Sequence, residues 1–435
     1  MTDLAVSAPT PDEAAPRAPI SIRQVAAAVI GNGLEFYDFT TYVFFAVQIG
    51  DTFFPNPSPF ISLMLALVTF GAGFILRPIG SIVIGRYADR RGRRPAMLFS
   101  FTLMGVAILG LALTPSYASI GVAAPVLVVL WRLMQGFALG GEVGPTTAYL
   151  VEAAPPGSRG IYGAWQSGSQ NVAAIAGGLV GVTVAQIAGP AGLEGWGWRA
   201  AFLLGALALP FGLVLRRNLP ETLGRVEAPS AVHPERPTIF AHGRIIALGV
   251  ALILGGTVTT YAFNFMTTYA RAHLHMSAGG SLGATLVNGA FGLAGVLIGG
   301  ALSDRFGRRP LMIWPRVVLL AISAPAYVLM VRNHDVATLF IATAFLALVS
   351  NMTQAAVIVA ITESLRKEVR GVVMGAIYAT SVAVFGGTTQ PAIEWLIHVT
   401  GDPLVPAWYV MGATVIALAA SLMMKESAHR PQRAA

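Results

Sequence analysis

The chain of 435 residues is 55% hydrophobic and only 11% charged, with a mean hydropathy of +0.68; a soluble protein needs about 25% charged residues to cover its surface, so this one belongs in a membrane. The absence of cysteine excludes a disulfide scaffold, thiol catalysis and thiolate metal sites. The formal net charge of +8 suggests a nucleic-acid partner only if the basic residues share a soluble face, so their placement decides the matter.

Residues 1–20 are rich in Ala, Pro and acid and lack the charged-then-apolar order of a signal peptide, so they are expected to form a disordered cytoplasmic tail. Each membrane-spanning helix takes about 20 apolar residues. Apolar runs bounded by charge, Pro or Gly predict twelve spans: 22–48, 61–85, 95–115, 123–149, 161–187, 200–217, 243–270, 280–302, 310–331, 336–361, 371–397 and 407–424. The widest polar interval, 218–242, holds Glu221, Arg225, Glu227, Glu235 and Arg236 among four prolines. It falls after the sixth span and predicts a cytoplasmic linker between two six-helix bundles, 21–217 and 243–424, with 425–435 as a second cytoplasmic tail.

The two bundles repeat each other. Gly85-Arg86-Tyr87-Ala88-Asp89-Arg90-Arg91-Gly92-Arg93-Arg94 returns 215 positions later as Gly300-Ala301-Leu302-Ser303-Asp304-Arg305-Phe306-Gly307-Arg308-Arg309. Glu152 with Arg159-Gly160 returns as Glu363 with Arg370-Gly371, 211 positions later. Glycine allows the tight turn, and arginine holds the loop on the cytoplasmic side. All but six of the 28 Lys and Arg lie in segments on the N-terminal side; Arg199, Arg271 and Arg332 lie opposite, and Arg77, Arg132 and Arg316 lie inside spans. That asymmetry orients both termini to the cytoplasm. The basicity records topology, with membrane lipid and no nucleic acid as the partner.

Nothing in the chain spells an enzyme. There is no G-x-x-x-x-G-K-[ST] phosphate loop, no H-E-x-x-H and no Cys/His metal spacing. No cofactor or metal is expected, and energy for any transport has to come from an ion gradient. Repeated bundles that rock about a midplane site are how secondary carriers alternate access.

A charge in hydrocarbon costs at least about 2.5 to 3.5 kcal/mol, so intramembrane charges are functional candidates. They are Glu35 and Asp38 in the first span, Arg77 in the second, Arg132 and Glu142 in the fourth and Arg316 in the ninth. At a rise of about 1.5 Å per residue, Asp38 and Arg132 lie at about 24 and 26 Å from the cytoplasmic end, a level at which they pair. Arg77 and Glu142 both lie at about 12 to 13 Å, a second pair, and Glu35 at about 20 Å has no evident cation. The bland alternative for each pair is mutual neutralisation inside the bundle. Arg316 is expected to snorkel to the headgroups, and Glu394 sits near the outer end of the eleventh span, a candidate for a solvated helix end. All seven histidines fall in tails, loops or span ends, so a proton relay would use the carboxylates Glu35, Asp38 and Glu142. Candidate substrate contacts are Arg77, Arg132, Tyr37, Gln166, Gln170, Asn351, Gln354 and Gln390, although any one amide more often bonds a neighbouring helix.

The doubled G-x-x-x-D-R-x-G-R-R resembles the signature of the major facilitator superfamily. Within it the chain is similar to the metabolite:proton symporter family through Gly31-Asn32-Gly33-Leu34-Glu35-Phe36-Tyr37-Asp38-Phe39, Arg77-Pro78-Ile79-Gly80 and Arg132-Leu133-Met134-Gln135-Gly136. Trp165-Gln166-Ser167-Gly168-Ser169-Gln170, Ala383-Val384-Phe385-Gly386-Gly387 and Thr400-Gly401-Asp402 resemble runs of its citrate and tricarballylate carriers. The resemblance implies an all-α fold of twelve transmembrane helices in two pseudo-symmetric bundles, in a bacterial inner membrane, sufficient as a monomer. It implies import of a small organic anion such as citrate together with protons. Other importers of the same fold, for 2-oxoglutarate, shikimate, betaine or proline, and a drug or metabolite exporter are the alternatives. Asp89 and Asp304 would then be inner-gate residues, with Arg90, Arg93, Arg305 and Arg308 exchanging ion pairs with Glu152 and Glu363.

Overall fold

The computed structural model describes residues 32–33, 36–91, 93–140, 150–151, 154–155, 157–217, 243–365 and 370–427. Both expected tails up to residue 20 and beyond 427, and the expected linker 218–242, lie outside the described residues. What is described is helical, with no strand among the described residues. In hydrocarbon every backbone N–H and C=O has to bond within its own segment, and a helix achieves that alone.

Among the described residues, twelve helical spans follow one another. In the first bundle they are α1 (36–53, outer part Ala46–Phe53), α2 (Pro59–Ile75 continuing as Arg77–Arg91), α3 (Arg93–Leu113), α4 (Ala123–Leu139), α5 (Arg159–Gly192) and α6 (Trp198–Arg217). In the second they are α7 (Gly243–Asn264 with Met266–Ala272), α8 (Ala278–Phe306), α9 (Arg308–Asn333), α10 (Val336–Asn351 with Gln354–Ser364), α11 (Arg370–Ser381 with Gly387–Thr400) and α12 (Val405–Met423). Among the described residues, seven helices are long and apolar enough by length and composition to cross a membrane, and Leu98–Leu113 and Ala123–Leu139 are shorter apolar ones. Large apolar side chains such as Ile187 and Leu207 are 75% and 72% exposed, as expected of a surface solvated by lipid.

Where they fall on described residues, the expected span ends are recovered to within a few residues; the start of the first span and the end of the fourth lie outside them, and the apolar runs do not announce the interruptions. α10 breaks between Asn351 and Gln354, α11 carries a π-turn at Val382–Gly386, and another π-turn, Leu193–Gly197, joins α5 to α6. Turns of this kind in a span leave backbone groups free for other partners and mark functional positions in many helices.

Two seams hold the bundles together. Along one, α5 runs against α8; along the other, α2 runs against α11. Glycine sets the approach at both: a Cβ on Gly71 would run into the backbone of Gly387, and one on Gly300 into Gly160. Without a side chain at these positions the backbones come close enough for direct contact.

Candidate functional site

Between the bundles lies a cavity of about 80 Å³, room for a few water molecules. One wall is aromatic, with Phe36, Phe39, Phe70, Tyr261 and Tyr378; the other is built of carboxamides and hydroxyls, including Gln170, Asn171, Asn264, Asn288, Asn351 and Gln354. Gln170, Asn351 and Gln354 were expected from the sequence. Asn264 and Asn288 were not, although amides in the otherwise apolar α7 and α8 were the available signal; they bond each other at 3.1 Å. No charged side chain lines the cavity among the described residues.

The buried charges lie behind the aromatic wall. Arg132 and Asp38 form the pair expected from their depth, at 3.3 Å, with 0% and 1% exposure. The same Nη1 of Arg132 donates to Gln135 Oε1 at 2.6 Å. Its guanidinium carbon lies 4.5, 4.4 and 5.0 Å from the rings of Phe39, Tyr42 and Phe70, a cage whose electron-rich faces partly replace water around the cation. Asp38 Oδ1 and Arg132 Nε and Nη2 have no hydrogen-bond partner. The pair is thus dry and only half satisfied, which is where a proton or a rearrangement changes the energy most. Arg77 is 4% exposed and lies 4.8 and 4.2 Å from the rings of Phe39 and Phe74. Phe74 in turn packs edge-on against Tyr261 of the cavity wall, so one layer of rings separates the arginines from the cavity.

The remaining expected residues separate into groups. Tyr37 is buried and donates to Ala201 O at 2.9 Å, and Gln390 is buried and donates to Tyr261 O at 3.1 Å; both tie helices together away from the cavity. Gln166 is 1% exposed, its carbonyl takes Asn32 at 3.2 Å, and its carboxamide has no partner. Glu35, Glu142 and Glu152 lie outside the described residues, as do the side chains of Asp89, Arg90 and Arg93.

Two expectations need correction. Arg316 does not snorkel: it is 3% exposed and donates to Met312 O at 2.6 Å and Ser421 Oγ at 2.7 Å, because α9 packs this face on α12 and a hydroxyl is within reach. Glu394 is no solvated helix end: it is 3% exposed and meets His273 Nε2 at 2.8 Å, where the outer continuation of α7 folds against α11.

At the inner end, the second copy of the repeated loop makes the expected ion-pair cluster. Asp304 accepts the backbone N–H of Gly160 and Ile161 at 2.6 and 3.0 Å, capping the start of α5 across the seam. Arg308 holds Asp304 at 2.8 Å and Glu363 at 3.4 Å, and Arg159 of the first bundle reaches Glu363 at 3.3 Å. Arg305 takes no part; it is exposed and lies 5.4 Å over Phe306. At the outer end Thr268 donates to Val43 O at 3.2 Å, and Phe60 stacks on His398 at 3.7 Å. The bundles therefore touch at both ends of the cavity.

The sequence model of the Major Facilitator Superfamily matches residues 28–391. The chain belongs to the Major Facilitator Superfamily. Relatives include a citrate-proton symporter of Salmonella typhi, 38% identical over 399 residues and spanning 91% of this chain and 92% of the relative. A citrate-proton symporter of Klebsiella pneumoniae is 37% identical over 397 residues, spanning 90% and 89%. The fold is shared with a crystal structure of a D-xylose-proton symporter, at a TM-score of 0.74 and 18% identity over 94% of this chain and 98% of that one. This facilitator is a multi-pass membrane protein whose relatives are transporters.

Proposed function

We propose that this facilitator imports a small organic acid, citrate or a related di- or tricarboxylate, together with protons by alternating access, as a monomer with both termini cytoplasmic and without enzymatic activity or a cofactor. The likeness to citrate-proton symporters along nine-tenths of the chain supports the substrate class. The observation that carries the mechanism is the Asp38–Arg132 pair, sealed from water one ring layer from a polar cavity. With Asp38 ionised, Arg132 is occupied. A proton on Asp38 removes its charge, and the cation is then free to attract an anion that has entered the cavity once the Phe39 and Phe70 rings move. Arg77 behind Phe74 and Tyr261 supplies a second positive charge, and Glu35 and Glu142 are further proton acceptors in this scheme. Gln170, Asn264, Asn288 and Gln354 hold the hydroxyl and carboxyl groups of the ligand.

Coupling of this kind is reciprocal: protonation tightens anion binding, and bound anion raises the proton affinity of the carboxylate. Adding citrate to proteoliposomes should therefore alkalinise a weakly buffered medium. Asp38→Asn is expected to diminish that proton uptake and to lower gradient-driven citrate accumulation at least about tenfold, the equivalent of about 1.4 kcal/mol. Unaltered proton uptake in Asp38→Asn would remove this residue from the mechanism.

The aromatic wall supports a second reading. Phe36, Phe39, Phe70, Tyr261 and Tyr378, around a cavity with no charged lining residue among the described residues, suit the quaternary ammonium of a zwitterion such as betaine. Competition between citrate and betaine separates the two.

A further inference from the structure

Inside the cavity, two carboxamides meet across the bundles. Asn171 of α5 donates through Nδ2 to Asn351 Oδ1 of α10 at 3.2 Å, and both line the cavity. The nitrogen of each carboxamide is also held by its own helix. Asn171 Nδ2 also donates to Ser167 O at 3.0 Å, and Asn351 Nδ2 donates to Ala347 O at 2.9 Å. Asn351 stands where α10 breaks. Gly292 of α8 leaves the space: a Cβ there would run into Asn171 Oδ1. Arg159–Glu363 and the Asp304 cap on one side and Thr268–Val43 on the other also join the bundles, but at the ends. Within the cavity itself the asparagine pair joins the two bundles, as does the contact between Gln170 of α5 and Tyr378 of α11.

We propose that the Asn171–Asn351 bond is the empty carrier's stand-in for its ligand: it closes the cavity when nothing is bound, and a carboxyl group of the substrate displaces it. The proposal rests on the reading of the cavity as the substrate site. A symporter that accumulates its substrate returns empty, and in that step the cavity has to close on itself. Two facing amides brought together without a partner would each lose water for nothing, and the direct bond removes that penalty. When substrate is present, a carboxyl oxygen accepts the Asn171 N–H instead, so the loaded transition does not use the bond. The pair therefore acts on the return of the empty carrier, and net uptake depends on that return whereas substrate exchange does not.

The test uses the full chain in proteoliposomes, with radiolabelled citrate followed in two modes: net uptake driven by a proton gradient, and exchange against internal citrate. With citrate saturating, so that the contact Asn171 makes to the substrate limits neither flux, Asn171→Ala should lower the ratio of net uptake to exchange about fivefold, within the range of one hydrogen bond. Asn351→Ala should do the same, and the double variant should lower the ratio no further than either single, because both remove one shared bond. Parallel loss of both fluxes, an unchanged ratio, or additive effects would overturn the proposal. If Asn171→Ala yields no folded carrier, Asn351→Ala carries the comparison. Wild-type protein without citrate flux would overturn the citrate reading instead, and the same ratio measured with 2-oxoglutarate or betaine then decides the asparagine pair.

Discussion

For single residues, the strongest energetic statement concerns Arg132. Removing one partner of a buried pair leaves an uncompensated charge and costs about 3 to 5 kcal/mol, whereas replacing both by neutral groups of similar shape costs far less. Thermal unfolding in detergent should show Arg132→Ala strongly destabilised, and Asp38→Asn with Arg132→Gln much closer to wild type; equal damage in the two would argue that packing, and not charge, is what the site supplies. This pair was legible in the sequence because one number per residue, the helical rise, places Asp38 and Arg132 at one level. The aromatic layer of Phe39, Phe70 and Phe74 was not, since three phenylalanines on two helices look like ordinary apolar residues until the helices are packed. His273 and Glu394 escaped for a related reason: their contact depends on how the outer end of α7 packs on α11, which hydropathy does not record.

For whole elements, glycine positions decide how closely helices approach. A Cβ on Gly136 of α4 would run into the backbone of Gly73 of α2, while one on Gly412 of α12 meets nothing within 4 Å. Gly136→Ala is therefore expected to cost about 1 to 3 kcal/mol by overpacking, and Gly412→Ala to leave the melting temperature within a degree or two of wild type or raise it slightly. Similar effects of the two substitutions would show that the α2–α4 contact is not the constraint it appears from the geometry. The twelve spans themselves were readable from apolar runs and punctuating charges. The break in α10 and the π-turn in α11 were not, because local hydropathy is insensitive to how a backbone is hydrogen-bonded.

For the whole molecule, the cluster of Arg159, Asp304, Arg308 and Glu363 ties the bundles at the inner end. Its presence was expected from the repeated Gly-Asp-Arg loop; the part played by the α5 backbone was hidden, because an N–H carries no sequence signature. Asp304→Ala removes the cap from α5, an interaction worth about 1 kcal/mol, and should open the inner end more often. The chain has no cysteine of its own, so Ser158→Cys gives a clean reporter. Its labelling by a membrane-impermeant maleimide in inside-out vesicles should accelerate about fivefold when Asp304→Ala is added, and unchanged labelling would mean that the cap does not hold the inner end closed.

In the proposed mechanism a proton gradient drives accumulation of a polycarboxylate. The most direct measurement is uptake of radiolabelled citrate by the purified protein in proteoliposomes, with and without an imposed inward proton gradient, and with 2-oxoglutarate, shikimate and betaine as competitors. Accumulation is expected to require the gradient, to be blocked by polycarboxylates, and to be lost in Asp38→Asn. Citrate that fails to accumulate under any gradient, or that accumulates equally well without one, would contradict the mechanism.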